Sequence, residues 1–529
     1  MGGATLRLRV RRDKCIVAYV RGNVFQIRVP DESLCAAIKN VLTYNRLRVL
    51  MTQRERREHG GRSVIAHAVQ VWMPAGDSPQ ELIVPMGMFD LVEKECARRG
   101  YRLQRVDVWK HPHPEVYEPH WDALEGYTFR PGQREVLEAM ASHDRGLIIW
   151  PTGVGKSFII RAACLLFRRA RILITTRSQN VLEDRYADLC GHVPIVGMYC
   201  SKRKTALARV FCCSAGCLHH IPDDCWDMVL VDEYHEFGTD KAMAQLARFW
   251  RARMFGFSAN YNDRLDKADF ELRGIFGTPI SVMSYSEAVQ HESIVPIQVR
   301  WYVVPHFRRY REHEIGISLM RSAIWRNPRR NQLIAEIAKS FPADTQILIT
   351  VSTIEHALHL KRLLPDFEVC YAPGEMGHAR VRRFAMQGLI DLKSTPLLTP
   401  QRAHWLKRAF ERGEVKRAIA TSVWKRGVNF RQLQVLIRAD GATSHIDCTQ
   451  IPGRLSRVTD DGSKECGILI DFIDDLDFAG EHLPSGNRTR YMRSESRYRD
   501  YARHGWEQIV PQGVVFPRQQ QKEKRHAQA

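Results

Sequence analysis

Gly146-Leu147-Ile148-Ile149-Trp150-Pro151-Thr152-Gly153-Val154-Gly155-Lys156-Ser157 is the stretch on which the reading of this chain turns. Gly146 to Trp150 is apolar without alternation, as in a parallel strand buried on both faces, and Lys156 to Phe167 has the apolar spacing of a helix. The glycine-containing turn between them therefore lies at a helix N-terminus, where free backbone N–H groups and the helix dipole suit an anion. Thr152, Gly153 and Gly155 shape a cradle for a triphosphate, Lys156 can reach its β- and γ-phosphates, and Ser157 can ligate Mg²⁺. One position departs from G-x-x-x-x-G-K-[ST]: Trp150 stands where the first glycine belongs. That position is a strand end, so phosphate binding survives, and the indole is expected to repack the pocket wall.

Working outward, Met228 to Val231 runs straight into Asp232-Glu233-Tyr234-His235, which places two carboxylates at the C-terminal end of a strand, where open α/β sheets bind ligands. Asp232 would hold the magnesium, Glu233 would deprotonate the attacking water, and His235 would couple this site to Ser258-Ala259-Asn260 at the end of another apolar strand. Upstream, Phe129-Arg130-Pro131-Gly132-Gln133 precedes a helix; Gln133 can pair with an adenine edge and Arg130 can stack on the base. Farther on, Thr421 to Phe430 ends a strand and carries Arg426, Gly427 and Asn429. Gln450, Gly453, Arg454 and Arg457 recur at three- and four-residue spacing, one face of an expected helix. Arginines brought from a second domain can stabilise a transferring phosphate, an effect on the order of a thousandfold in rate.

The pattern of strands and helices gives an α/β fold with two tandem parallel-sheet domains after a small α+β domain. The expected boundaries are 1–118 for the small domain, 119–295 and 296–480 for the two parallel-sheet domains, and 481–529 for an Arg/Tyr-rich extension with a disordered end. In the small domain Leu6 to Arg11 and Ser63 to Met73 read as strands, whereas Leu34, Ile38, Val41 and Leu42, and then Phe89, Val92 and Cys96, recur at helical spacing. Arg54 to Arg62 is a basic loop able to touch phosphates or simply face water, and the small domain as a whole is a candidate nucleic-acid binder. Cys212, Cys213, Cys217, His219, His220 and Cys225 fall together but lack the paired spacing of a zinc site.

Lys and Arg total 79 against 59 Asp and Glu, a formal net charge of +20, which suits a partner that is a polyanion. No run of about 18 apolar residues predicts a membrane span, and the opening residues lack a secretory core. Thirteen cysteines without a framework fit reduced thiols, so the expected location is cytoplasmic, intracellular and not secreted.

Taken together, these motifs resemble those of superfamily 2 DExH helicases, from about Phe129 to Ile473, and most resemble the phage UvsW-type and XPB-type DNA helicases. Gly155-Lys156-Ser157, Asp232 to His235, Ser258 to Asn260, Thr421 to Phe430 and Gln450 to Arg457 carry the resemblance. The entry Arg130-Pro131-Gly132-Gln133 is one residue shorter than that group's pattern. The resemblance implies RecA-like domains, ATP and Mg²⁺ as cofactors, and an enzyme whose ATP hydrolysis is stimulated by nucleic acid. It implies single-stranded, forked or branched DNA as partner, remodelled in replication, recombination or repair. Thr176, Arg177, Ser352, Thr421 and Arg426 would touch that strand. An RNA helicase and a duplex translocase without strand separation are the readings within the class. A nucleic-acid scaffold using ATP only as a switch is the reading outside it. No obligate protein partner is evident.

Overall fold

The computed structural model describes residues 10–11, 14–49, 64–259, 261, 267–310, 317–391, 398–424, 428, 430–443, 448, 451–459, 462–474, 476 and 492–514. The expected strand from Leu6 therefore lies outside them except for Val10–Arg11, and so do the basic stretch Arg54 to Arg62 and residues 515–529. The chain divides into two compact units, one of Met1–Pro151 with Gly155–Met283, the other of Thr152–Val154 with Ser284–Ala529.

The first unit opens with a mixed sheet ordered Val10–Arg11, Cys15–Arg21, Val24–Arg28, Ser78–Pro85 and Met73–Ala75, and Arg102–Asp107 joins Cys15–Arg21 in parallel. Alternate residues Ile16, Ala18 and Val20 point into a core shared with Leu34 and Ile38 of helix Glu32–Val41 and with Val92 and Cys96 of helix Phe89–Arg98. Asp31 caps the first helix by accepting from the Leu34 amide at 2.7 Å, and Gly100, at φ +76°, follows the second where a left-handed residue is needed.

Strands Thr43–Val49 and Val64–Gln70 form a separate antiparallel pair tied to helices Asp240–Ala247 and Asp269–Phe276, which belong to the same unit as a second, parallel sheet. Tyr44 donates to Glu271 at 2.6 Å, and Arg46 binds Glu271 at 3.1 Å, Asp240, and the Gly238 carbonyl at 2.9 Å. Nearby, Arg273 pairs with Asp90 at 2.5 Å.

That sheet has seven strands, all parallel, in the order Val196–Tyr199, Val210–Ser214, Ile172–Thr176, Met228–Asp232, Arg253–Ser258, Arg145–Ile149, Pro279–Val282. Arg145–Ile149, Met228–Asp232 and Arg253–Ser258 are the strands whose ends the sequence marks with the glycine turn, Asp232-Glu233 and Ser258. Met228–Asp232 and Ile172–Thr176 are buried at every residue, as unbroken apolar runs require. Cys212 and Cys213 sit on the buried strand Val210–Ser214. Among the described residues no cluster of three His, Cys, Asp or Glu side chains is arranged to hold a metal ion, and no helix is long and apolar enough to cross a membrane.

The second unit repeats the plan: seven parallel strands ordered Glu368–Cys370, Arg417–Ala420, Ile347–Thr350, Val435–Arg438, Gly467–Ile473, Ile297–Val303, Glu507–Ile509. The fold is thus two RecA-like parallel-sheet domains preceded by a small α+β domain. The last strand comes from the Arg/Tyr-rich tail, which packs against this sheet. Arg497, on helix Met492–Arg503, makes contacts of 3.1 and 3.0 Å to Asp471, and Tyr501 donates to the same carboxylate at 2.6 Å. Tyr501 also stacks on Trp506 with ring centroids 5.4 Å apart. Arg380, Arg382 and Arg383 lie exposed on helix His378–Met386, whose Phe384 is buried with Ile354, Leu358 and Tyr371.

Gly22 and Gly76 both turn the chain with positive φ, +63° and +71°. A Cβ on Gly22 would stand 2.2 Å from the Trp250 carbonyl oxygen, whereas at Gly76 nothing lies within 4 Å. Gly22→Ala should therefore lose about 2 kcal/mol or more and Gly76→Ala about 1 kcal/mol, compared by denaturation midpoints of the two variants.

Candidate nucleotide-binding site

Parallel pairing sets the strand ends side by side: Ser258 pairs with Ile149, and Asp232 pairs with Phe257. Just beyond Ile149 the chain turns through Gly153 at φ +97° and Gly155 at φ +107°, and Gly155 caps helix Lys156–Leu166. A side chain at Gly155 is excluded twice, by that φ and by Gln133 Nε2, which would lie 2.5 Å from its Cβ. The Gln133 Oε1 in turn accepts from the Arg130 amide at 2.9 Å, so the predicted base-reading turn and the end of the phosphate loop touch. Lys156 Nζ donates to the Trp150 and Pro151 carbonyls, at 2.7 and 3.2 Å, and Ser157 is exposed at the helix start.

Trp150 does more than repack a wall. Its side chain is buried, its Nε1 donates to Ser281 Oγ at 2.9 Å, and its ring lies 3.0 Å from where a Cβ on Gly132 would be. Gly132, at φ +82°, starts helix Gln133–Ser142, so the indole supports the turn that carries Gln133.

Asp232 is 4% exposed, and Arg185 from helix Gln179–Cys190 donates to its Oδ2 at 2.7 Å. Nothing in the sequence pattern singles out Arg185; it becomes visible only once the helix is packed beside the sheet. Glu233 adopts a left-handed backbone, φ 54° and ψ 52°, unusual for a side chain with a Cβ. Burial pushes its carboxyl up to about 7; Lys156 and Arg185 oppose the rise, and Asp232 and Glu236 add to it. Its Oε2 is buried without a hydrogen-bond partner among the described residues, 3.5 Å from His235 Nδ1. His235 Nδ1 is also 2.8 Å from Ser258 Oγ, the link between the two motifs that their order in the chain implied. Asn260 lies outside the described residues.

In the second unit, Arg454 and Arg457 both donate to the Val428 carbonyl, at 2.9 and 3.3 Å, and burial pushes the Arg457 guanidinium down to about 10. The described chain from Ile451 on is one 3-10 turn, Pro452–Arg454, followed by irregular backbone, in place of the expected continuous helix. Lys464, which the sequence did not single out, holds this segment by donating to the carbonyls of Leu433, Leu455 and Arg457 at 2.6, 2.5 and 3.3 Å. Arg426, Gly427, Asn429 and Gln450 lie outside the described residues. Of the expected strand contacts, Arg177 and Ser352 are exposed, and they donate to the carbonyls of Glu236 and Asp440 at 2.9 and 3.2 Å. Thr176 and Thr421 are 1% and 4% exposed.

Within the first unit, Gly155, Lys156, Ser157 and Asp232 suit ATP with Mg²⁺. A left-handed glycine at a helix start leaves backbone donors for phosphate, and a hydroxyl with a carboxylate is the hard-oxygen donor set magnesium takes. Among the described residues, Glu233 Oε2 keeps its acceptor capacity unused.

Fold and site together define a parallel α/β protein with a glycine turn and two carboxylates at one sheet edge. Residues 126–263 match the family described as type III restriction enzyme, res subunit. Among solved structures, the chain is similar to UvsW of phage T4, with 15% identity over 93% of this chain and 98% of that one and a TM-score of 0.40. It is similar to Dbp5 of S. cerevisiae bound to RNA and ADP BeF3, with 14% identity over 75% and 93% and a TM-score of 0.48. It is also similar to the DUF1998 helicase MrfA bound to DNA, with 14% identity over 74% and 51% and a TM-score of 0.49. No curated protein matches it in sequence. The family match spans the phosphate loop, Asp232 to His235 and Ser258, the first-domain motifs on which the resemblance to superfamily 2 helicases was drawn.

Restoring the consensus glycine at position 150 should not be neutral. Trp150→Gly should cost about 3–5 kcal/mol through the cavity it leaves and weaken nucleotide binding by loosening the Gln133 turn. Thermal denaturation and titration with a fluorescent ATP analogue read the two effects separately.

Proposed function

We propose that this chain is an ATP-dependent helicase or translocase acting on nucleic acid, with single-stranded, forked or branched DNA as its substrate. The observation that carries the proposal is that one sheet edge collects the phosphate loop with Lys156, the Asp232 carboxylate, and Glu233 with its carboxyl raised by burial. Lys156 and the loop amides would bind the phosphates, Ser157 and Asp232 the magnesium, and Gln133 with Arg130 the base. Glu233 would take the proton of the attacking water, a task for which a carboxyl near neutrality is suited. When bound, Mg²⁺ supplies charge neutralisation at the phosphates. Arg454 and Arg457 are proposed to stabilise the transferring phosphate, and Arg177 and Ser352 to contact the strand.

The positive excess of the chain supports a polyanionic partner, and the family match over 126–263 supports the motor reading. Cytoplasmic location and roles in replication, recombination or repair belong to the same proposal.

Glu233→Gln should retain ATP binding and reduce steady-state hydrolysis by about a hundredfold or more, the scale of a lost general base; unchanged turnover would contradict the mechanism. Binding of a DNA oligonucleotide should weaken steeply with added salt, about tenfold or more between 50 and 200 mM, because phosphate contacts release counterions. A hydrolysis assay with single-stranded DNA, duplex, forked DNA and RNA separates the DNA reading from RNA stimulation.

A further inference from the structure

The side chain that meets Asp232 in this structure is an arginine. Arg185 and Asp232 have side chains 11% and 6% exposed and are joined at 2.7 Å. A carboxylate so withdrawn from water needs a counter-charge, and a lone buried charge is strongly destabilising. The guanidinium meets that need at every accessible pH, because it does not give up its proton. Burial opposes the Arg185 charge; Asp232 first, and then Asp188 and Cys212, favour it, and on balance the charged form is favoured.

The manner of pairing matters as much as its presence. Arginine and carboxylate often pair through two parallel hydrogen bonds, yet here one is formed, from NH2 to Oδ2. The Arg185 Nε is buried and has no hydrogen-bond partner among the described residues. Asp188, three residues farther along the same helix, receives Arg161 on its Oδ1 at 2.6 Å. Arg185 is therefore held at the site chiefly by Asp232, through a single bond that can be given up.

A fixed positive charge beside a carboxylate lowers its affinity for a divalent cation. A triphosphate arriving with the metal reverses the balance, since its own negative charge offsets both cations.

We propose that Arg185 is the resident counter-ion of Asp232, so that the site rejects free Mg²⁺ and accepts the metal together with its nucleotide. This rests on the nucleotide-site reading above and adds to it an order of loading and a positioning residue, Arg185, that acts through Asp232.

The test is the binding of Mn²⁺, followed by its electron paramagnetic resonance signal, to the full chain without nucleotide. Arg185→Met should bind Mn²⁺ at least about tenfold more tightly than the unmodified protein, and Arg185→Lys, which keeps the charge, should not. The gain should vanish in Arg185→Met with Asp232→Asn. A Met variant that binds no more tightly, or a gain that survives Asp232→Asn, would overturn the proposal. Should Arg185→Met fail to fold, the unmodified chain decides: Asp232-dependent Mn²⁺ binding as tight without ATP as with it contradicts the proposal, and binding that requires ATP supports it. Failure of ATP to bring Mn²⁺ to the unmodified chain would instead strike the nucleotide-site reading itself.

Discussion

Parallel pairing of the strands in the first unit is the constraint from which its chemistry follows. Because every strand of that sheet runs the same way, every C-terminal end reaches the same edge, and the register sets Ile149 beside Ser258 and Phe257 beside Asp232. The phosphate loop leaves from one end, the acidic pair from another, and the serine that meets His235 from the strand between them. The price is strain and desolvation at that edge, visible in the left-handed backbone of Glu233 and in the raised proton affinity of its carboxyl.

The same chain uses arginine in two ways. Part of its positive excess is exposed, as on helix His378–Met386. Part is spent inside, where Arg185 meets Asp232, Arg330 meets Asp474 at 2.7 Å, and Arg497 and Arg438 meet Asp471 and Asp440. Buried pairs of this kind are internally neutral, so they leave the net charge of +20 to the rest of the chain, where a polyanion can meet it. They also fix register: Arg497 and Tyr501 lock the tail onto strand Gly467–Ile473, and the tail then supplies the edge strand Glu507–Ile509.

Much of this was legible in the residues. Unbroken apolar runs ending in Gly-Lys-Ser or Asp-Glu mark strand ends because local pattern and chain direction suffice to place them. What was not legible depended on packing between distant segments. Trp150 was readable as a departure from a motif but not as the support beneath Gly132, which needs strand and turn together. Arg185 and Lys464 carry no motif, and their importance lies in the carboxylate and carbonyls that other segments bring to them. The expected helix through Gln450 to Arg457 rested on spacing alone, and Pro452, which cannot donate a helical N–H, sits within it at the start of a short turn.

The central claim is that ATP and its metal are held at this one sheet edge. Equilibrium titration of the full chain with a fluorescent ATP analogue and Mg²⁺ tests it most directly when repeated on Lys156→Ala and Asp232→Asn. The account predicts saturable binding by the unmodified protein and a loss of about tenfold or more in each variant. Binding that is absent from the unmodified protein, or undiminished in both variants, would contradict it.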